Sequence, residues 1–279
     1  EDAAHLLIEV DGFHEASLYA DFEKIARVLE DYDCGETFFT NDDATKSDPA
    51  WSPDGKRIAY VSFQKGSSAV YIVELATGAG ATEPVSNAKG INGAPAFSPD
   101  GTKLALTLSK SGNPEIYVMD IASRSLRQIT THYGIDTEAV WMPDGQSLLF
   151  TSDRGGKPQI YQISTAGGEA KRVTFSGEYN ARATVSYDGR KVATAQGTGS
   201  IYRIALLDRS FGGNGRSQTL SPGNLDESPS FAPNASMILY ATKEGRRGVL
   251  YAVSADGRVR QRLVLSDGDV REPAWSPYR

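Results

Sequence analysis

The chain has 279 residues, 39% of them hydrophobic and 23% charged, a balance that fits a soluble globular protein. Its formal net charge of -6 argues against a sequence-independent nucleic-acid binder, which needs a net basic face to release phosphate counterions. No apolar run approaches the roughly 18 residues of a membrane-spanning helix. The single cysteine, Cys34, has no intrachain disulfide partner, which leaves the redox compartment open.

Residues 1–43 begin with Glu1-Asp2-Ala3-Ala4-His5, which lacks the basic and apolar regions of a secretory signal. If the protein is exported, the expectation is a mature or truncated form. His5 to Val10 reads as a strand, stopped by Asp11-Gly12. Leu18, Phe22, Ile25 and Leu29 then form a helical stripe, and Glu36 to Asn41 reads as a second strand. The alternative is that Ile25 to Glu30 is a strand with Tyr32-Asp33-Cys34-Gly35 as its hairpin turn. Strand-helix-strand is the preferred reading, which makes these residues an atypical N-terminal segment.

From residue 44 to 279 a repeat takes over. Pro49-Ala50-Trp51-Ser52-Pro53-Asp54-Gly55 recurs as Pro95-Ala96-Phe97-Ser98-Pro99-Asp100-Gly101 and as Ala139-Val140-Trp141-Met142-Pro143-Asp144-Gly145. It returns as Ala183-Thr184-Val185-Ser186-Tyr187-Asp188-Gly189, as Pro229-Ser230-Phe231-Ala232-Pro233-Asn234-Ala235, and finally as Pro273-Ala274-Trp275-Ser276-Pro277. Marker positions 53, 99, 143, 187, 233 and 277 are separated by 46, 44, 44, 46 and 44 residues. Within each repeat a tight turn precedes a strand such as Arg57 to Ser62 or Lys103 to Leu108. A further strand such as Glu115 to Met119, and a short outer one such as Leu126 to Ile129, complete the unit. Four short antiparallel strands per repeat make a propeller blade. The 28 glycines and 13 prolines suit such turns.

The expected fold is therefore all-β: a six-bladed β-propeller with four-stranded antiparallel blades and an irregular N-terminal segment containing a helix. Five repeats are whole and the sixth stops at the C-terminus. Ring closure then requires Pro273-Ala274-Trp275 to be the innermost strand of a sixth blade. Its outer strands would come from residues before Asp48, because an unclosed ring exposes two sheet edges.

Catalysis finds little support. A hydrolase of the prolyl-oligopeptidase type needs a Gly-x-Ser-x-Gly elbow and a downstream histidine. The elbow is absent, and the histidines are His5, His14 and His132. The Asp-Gly pairs lack the register of a calcium loop, so turn chemistry explains them. No cofactor or metal is expected. What stands out is the polar set just before each inner strand, placed by blade geometry on one rim of the central channel. It comprises Asn92, Asp136, Thr137, Glu138, Asn180, Arg182, Asp226, Glu227, Arg271 and Glu272, together with Ser47-Asp48 and Ser228. Such groups either satisfy loop backbone or form a protein-docking surface.

Beyond residue 44 the chain resembles the TolB family of Gram-negative bacteria. Asp48 to Phe63, Gly90 to Gly101, Ser152 to Tyr161, Leu225 to Asn234 and Gly268 to Tyr278 carry the resemblance, in that order. It implies a non-enzymatic periplasmic scaffold of the Tol-Pal system that supports outer-membrane integrity and constriction during cell division. It also implies that the lipoprotein Pal binds at the channel mouth, with Ile91, Ala94 and Thr137 as contacts. TolA would be a partner only through an N-terminal region that is not recognisable here. Residues 1–43 instead resemble a C-terminal fragment of FAD-linked oxidases, and no flavin site can be inferred from them. The competing reading is the propeller of a hydrolase or sugar-binding protein without its catalytic domain.

Overall fold

The computed structural model describes residues 6–11, 46–75, 83–210, 216–263 and 269–277, and every strand or sheet element within them is β. β1 (Leu6–Asp11) is followed by a first blade of β2 (Lys46–Trp51), β3 (Arg57–Ser62) and β4 (Ala69–Glu74). The second blade holds β5 (Asn92–Phe97), β6 (Lys103–Leu108), β7 (Glu115–Asp120) and β8 (Leu126–Gln128). The third holds β9 (Asp136–Trp141), β10 (Ser147–Ser152), β11 (Gln159–Ser164) and β12 (Lys171–Arg172). The fourth is β13 (Tyr179–Val185), β14 (Lys191–Thr198), β15 (Ile201–Asp208) and β16 (Arg216–Thr219). The fifth is β17 (Glu227–Phe231), β18 (Met237–Glu244), β19 (Arg247–Ser254) and β20 (Arg260–Leu263). β21 (Asp269–Trp275) pairs with β1.

The expected count of six blades is corrected. The described residues form five blades, and a two-stranded sheet, β1 with β21, stands where the sixth would be. The physical reason is in the repeat count: β21 is a sixth inner strand, and among the described residues the strand paired beside it is β1. β21 lies against β17, β18 and β19 on one side and against β2 on the other, which closes the ring. Trp275 N–H donates to Ser230 Oγ of β17 at 3.0 Å, and Asp48 N–H of β2 donates to Glu272 Oε2 at 2.8 Å. The helix expected across Leu18 to Leu29 and the strand across Glu36 to Asn41 lie outside the described residues.

Each blade turns its first corner in the same way. Gly55, Gly101, Gly145 and Gly189 take φ values of 64° to 72°, a region closed to most side chains. In the first, second and fourth blades the preceding serine hydroxyl donates to the turn aspartate: Ser52 to Asp54, Ser98 to Asp100 and Ser186 to Asp188. The serine oxygen accepts the first strand N–H beyond the turn, as in Lys103 N–H to Ser98 Oγ at 2.9 Å. The serine bond and the adjacent backbone N–H hold the Asp100 carboxyl down at about 2.

The core lies in the seams between blades, because both faces of every blade are apolar. Ala105, Ile116 and Val118 of the second blade pack on Leu148, Phe150 and Tyr161 of the third. Ile204 and Leu206 of the fourth pack on Ile238, Tyr240 and Val253 of the fifth. Each large side chain removed from water contributes on the order of 1.5–3 kcal/mol. Trp141 adds a directional link across one seam, donating from Nε1 to Ala96 O at 3.0 Å.

Candidate protein-docking face at the channel mouth

Every inner strand of the five blades breaks register with its neighbour near its start, for example between Ser47 and Ala50, Gly93 and Ala96, and Ala181 and Thr184. At each break a non-glycine residue takes the left-handed conformation. These are Asp48 (φ 51°), Ala94 (46°), Glu138 (56°), Arg182 (52°) and Ser228 (53°), with Glu272 (48°) in β21. Left-handed backbone costs about 1–2 kcal/mol for an L-residue, so something must hold it. A β-bulge does so by re-aiming a backbone N–H at a neighbour. Ala94 N–H donates to Asp48 Oδ2 (3.3 Å) and Glu138 N–H to Thr107 Oγ1 (3.2 Å). Arg182 N–H donates to Thr151 Oγ1 (3.2 Å) and Glu138 Oε2 (3.2 Å). Each of these acceptors sits on the preceding blade, so the bulges stitch the ring around its axis.

The side chains at these bulges meet across the channel. Arg182 reaches Glu272 Oε1 at 2.7 Å, Glu138 Oε1 at 3.1 Å and Asp48 Oδ1 at 3.8 Å, and donates to Ser228 Oγ at 3.0 Å. Burial opposes its charge, but Glu272, Glu138 and Asp48 together hold the guanidinium above its ordinary pKa. Three carboxylates share one guanidinium here. Burial and the nearby Glu272 accordingly push the Asp48 carboxyl up, against the pull of Arg182.

The rim residues named from the sequence divide into three groups. Asn92, Asp136, Asn180 and Asp226 are 0–1% exposed, their side chains turned inward to fasten the connectors that lead into the inner strands. Asn92 donates to Ser68 O, Ala88 O and Gly90 O and accepts from Ser86 Oγ. Asn180 donates to Gln159 Oε1 and Ser176 O, Asp136 pairs with Arg154 at 2.6 Å, and Asp226 accepts from Ser221. Glu138, Arg182 and Glu272 belong to the axial network, and Thr137 meets Thr107 at 3.2 Å beside it. Ile91, Glu227 and Arg271 are exposed, and Ala94 is half-buried.

Sequence reasoning missed most of an apolar surface on the same end. Among the described residues, seven of the ten exposed large hydrophobic side chains lie where the inner strands begin: Phe63, Ile91, Tyr133, Ile135, Phe175, Ile201 and Leu225. Only Leu126, Tyr187 and Val259 of that set lie at the opposite end. Ile91, Ile135 and Leu225 each stand one residue before a buried Asn or Asp, so apolar side chains ring the mouth at the repeat spacing. An apolar residue in a connector that ought to be polar was the available signal.

The TolB beta propeller domain family matches residues 22–279. A curated relative, the Tol-Pal system protein TolB of Xanthomonas campestris pv. campestris (strain B100), is 69% identical over 231 residues, covering 83% of this chain and 52% of that protein. The chain thus spans about half the length of the curated relatives it matches. Among solved structures, TolB from Acinetobacter baumannii superposes with a TM-score of 0.78 at 49% identity, covering 84% of this chain and 58% of that one. A putative TolB from Agrobacterium tumefaciens gives 0.67 at 20% identity over 85% and 91% of the two chains, a likeness of fold.

Proposed function

The chain belongs to the TolB β-propeller family, and we propose on that footing that it is a non-enzymatic docking scaffold of the periplasmic Tol-Pal system. In this reading the propeller holds the lipoprotein Pal across its channel mouth and so supports outer-membrane integrity and constriction during cell division. The observation that carries it is the concentration of exposed apolar side chains on the mouth face. Apolar anchors surrounded by charged and polar groups are what a specific protein interface requires. The stitched bulges beneath them supply a rigid base, so little ordering entropy opposes binding. Ile91, Ala94 and Thr137 are the proposed contacts, with Ile135 beside them, and exposed Glu227 and Arg271 give the rim its charge pattern.

Calorimetric titration of the folded chain with purified Pal tests this. Binding is expected, and Ile91→Asp with Ile135→Asp should weaken it by about 100-fold or more, because both side chains are solvent-facing anchors. The Tm of that variant should stay within about 2 °C of the parent, since exposed positions carry little stability. No binding by the parent chain would overturn the partner. Undiminished binding by the double variant would overturn the face.

A further inference from the structure

One seam of the propeller lacks the aromatic pair that fills others. The third strand of each remaining blade carries a tyrosine at the same repeat position: Tyr71, Tyr117, Tyr161 and, in the fifth blade, Tyr251. Directly opposite on the second strand stand Tyr60, Leu106, Phe150 and Tyr240. Three of these pairs bring rings together, at 5.6 Å for Tyr60–Tyr71, 6.1 Å for Phe150–Tyr161 and 5.9 Å for Tyr240–Tyr251. In the fourth blade the corresponding pair is Thr194 and Ala205. Strand alternation puts both on the face that also carries Val192 and Leu207, which pack on Leu149 and Ile160 of the third blade.

A cavity lies at that place. It holds about 70 Å³ and opens to solvent, and Thr194, Ala205, Leu207, Thr174, Phe175 and Gln196 line it. Phe175 is 52% exposed beside it, with the Arg172 guanidinium 5.3 Å from its ring centre. Gln196 uses its amide nitrogen on Ser176 O and Asn180 Oδ1, so its amide oxygen points to an acceptor role for a hydroxyl. Small-molecule sites combine apolar walls with a few placed polar groups.

We propose that this seam is a receptor slot for an aromatic ring presented from outside, a tyrosine-like side chain of a docking partner. The incoming ring would stand where the chain's own tyrosine stands in the other blades, against Leu207 and Ala205, with Phe175 as the neighbouring aromatic. Its hydroxyl would meet Gln196. Phe175 is one of the exposed residues of the mouth face, so the slot is continuous with the docking surface proposed above. Its test does not depend on the identity of that partner.

The probe is p-cresol, the tyrosine side chain as a free molecule, titrated into the full chain and followed by methyl NMR. Saturable shifts are expected at Leu207, Ala205 and Thr194, with a Kd on the order of 1 mM for so small a ligand. Ala205→Tyr fills the slot from within and should weaken binding by at least about tenfold while preserving or raising Tm. Thr194→Phe closes the same space from the opposite strand and serves if the first variant does not fold. Ile91→Asp with Ile135→Asp should leave p-cresol binding unchanged, which separates this slot from the Pal reading. No saturable shift in the parent chain, equal binding to the filled variant, or equal binding of 4-methylcyclohexanol would overturn the proposal.

Discussion

Arg182 Nη1 lies 2.7 Å from Glu272 Oε1, joining the fourth blade to the chain's last described strand across the channel axis. The same guanidinium also holds Glu138 and Asp48, so removing it leaves three carboxylates facing one another. Arg182→Met should destabilise the fold by about 1–3 kcal/mol, a range reduced for a side chain that is a third exposed. Adding Glu272→Gln should recover part of that loss. The Asp48 carboxyl is already pushed up in the parent, so its folded form favours the proton. The deficit of Arg182→Met should therefore shrink as pH falls below about 5. Urea unfolding of the parent, single and double variants at two pH values reads all three effects, and a pH-independent deficit would count against the network.

The Ser98–Asp100 bond gives its pH signature in a more acidic range. Asp100 is held down at about 2 against an ordinary aspartate value of 3.8, so its ionised form stabilises the fold above pH 4. That contribution is lost as pH falls from about 4 toward 2. Ser98→Ala removes the bond and leaves Lys103 N–H without its acceptor, so a cost of about 1–2 kcal/mol is expected at pH 7. The gap between variant and parent should narrow at about pH 2 to 3. A gap that stays constant would show that Asp100 does not share in it.

Ala235 occupies the turn position that four other blades give to glycine, at a φ of 55°. Ala235→Gly should relieve left-handed strain that exceeds glycine's added chain entropy, raising stability by about 0.5–1 kcal/mol. A lower urea midpoint for the variant would contradict this.

β1 is the described pairing partner of β21. Deleting residues 1–11 should expose one edge of β21 and lower the Tm by several degrees, on the order of 2–4 °C per kcal/mol lost for a chain of this size. Calorimetry reads the shift directly, and an unchanged Tm would mean that β21 is held from its blade-facing sides alone.

The repeat was legible because its turn takes a glycine after aspartate in four of the five blades, whatever surrounds it. The spacings 46, 44, 44, 46 and 44 found between the marker residues recur among the bulge residues Asp48 through Glu272. The bulges themselves were not legible, since Asp, Ala, Glu, Arg and Ser share no chemistry that announces a positive φ. Rim geometry placed Asn92 and Asp136 at the right height but could not say which way they point. One step along a strand reverses a side chain, so Asn92 turns inward where Gly93 would turn out. A hint did exist in their size. Short amides and carboxylates suit buried fastening, whereas a partner-facing residue such as Ile91 gains from reach and apolar area. The tyrosine missing at Ala205 was present in the alignment of repeats, but its meaning depended on the cavity that only packing reveals.

Closing the ring with its two most distant described strands sets a clock. Leu6 pairs with Trp275, roughly 270 residues later. At a synthesis rate of about 5–20 residues per second, the earlier strand waits on the order of 10–50 s for its partner to exist. For that interval β1 is a solitary edge, and the blades already made have no neighbour on one flank. The moment β21 emerges therefore decides whether the ring shuts on itself or on another chain.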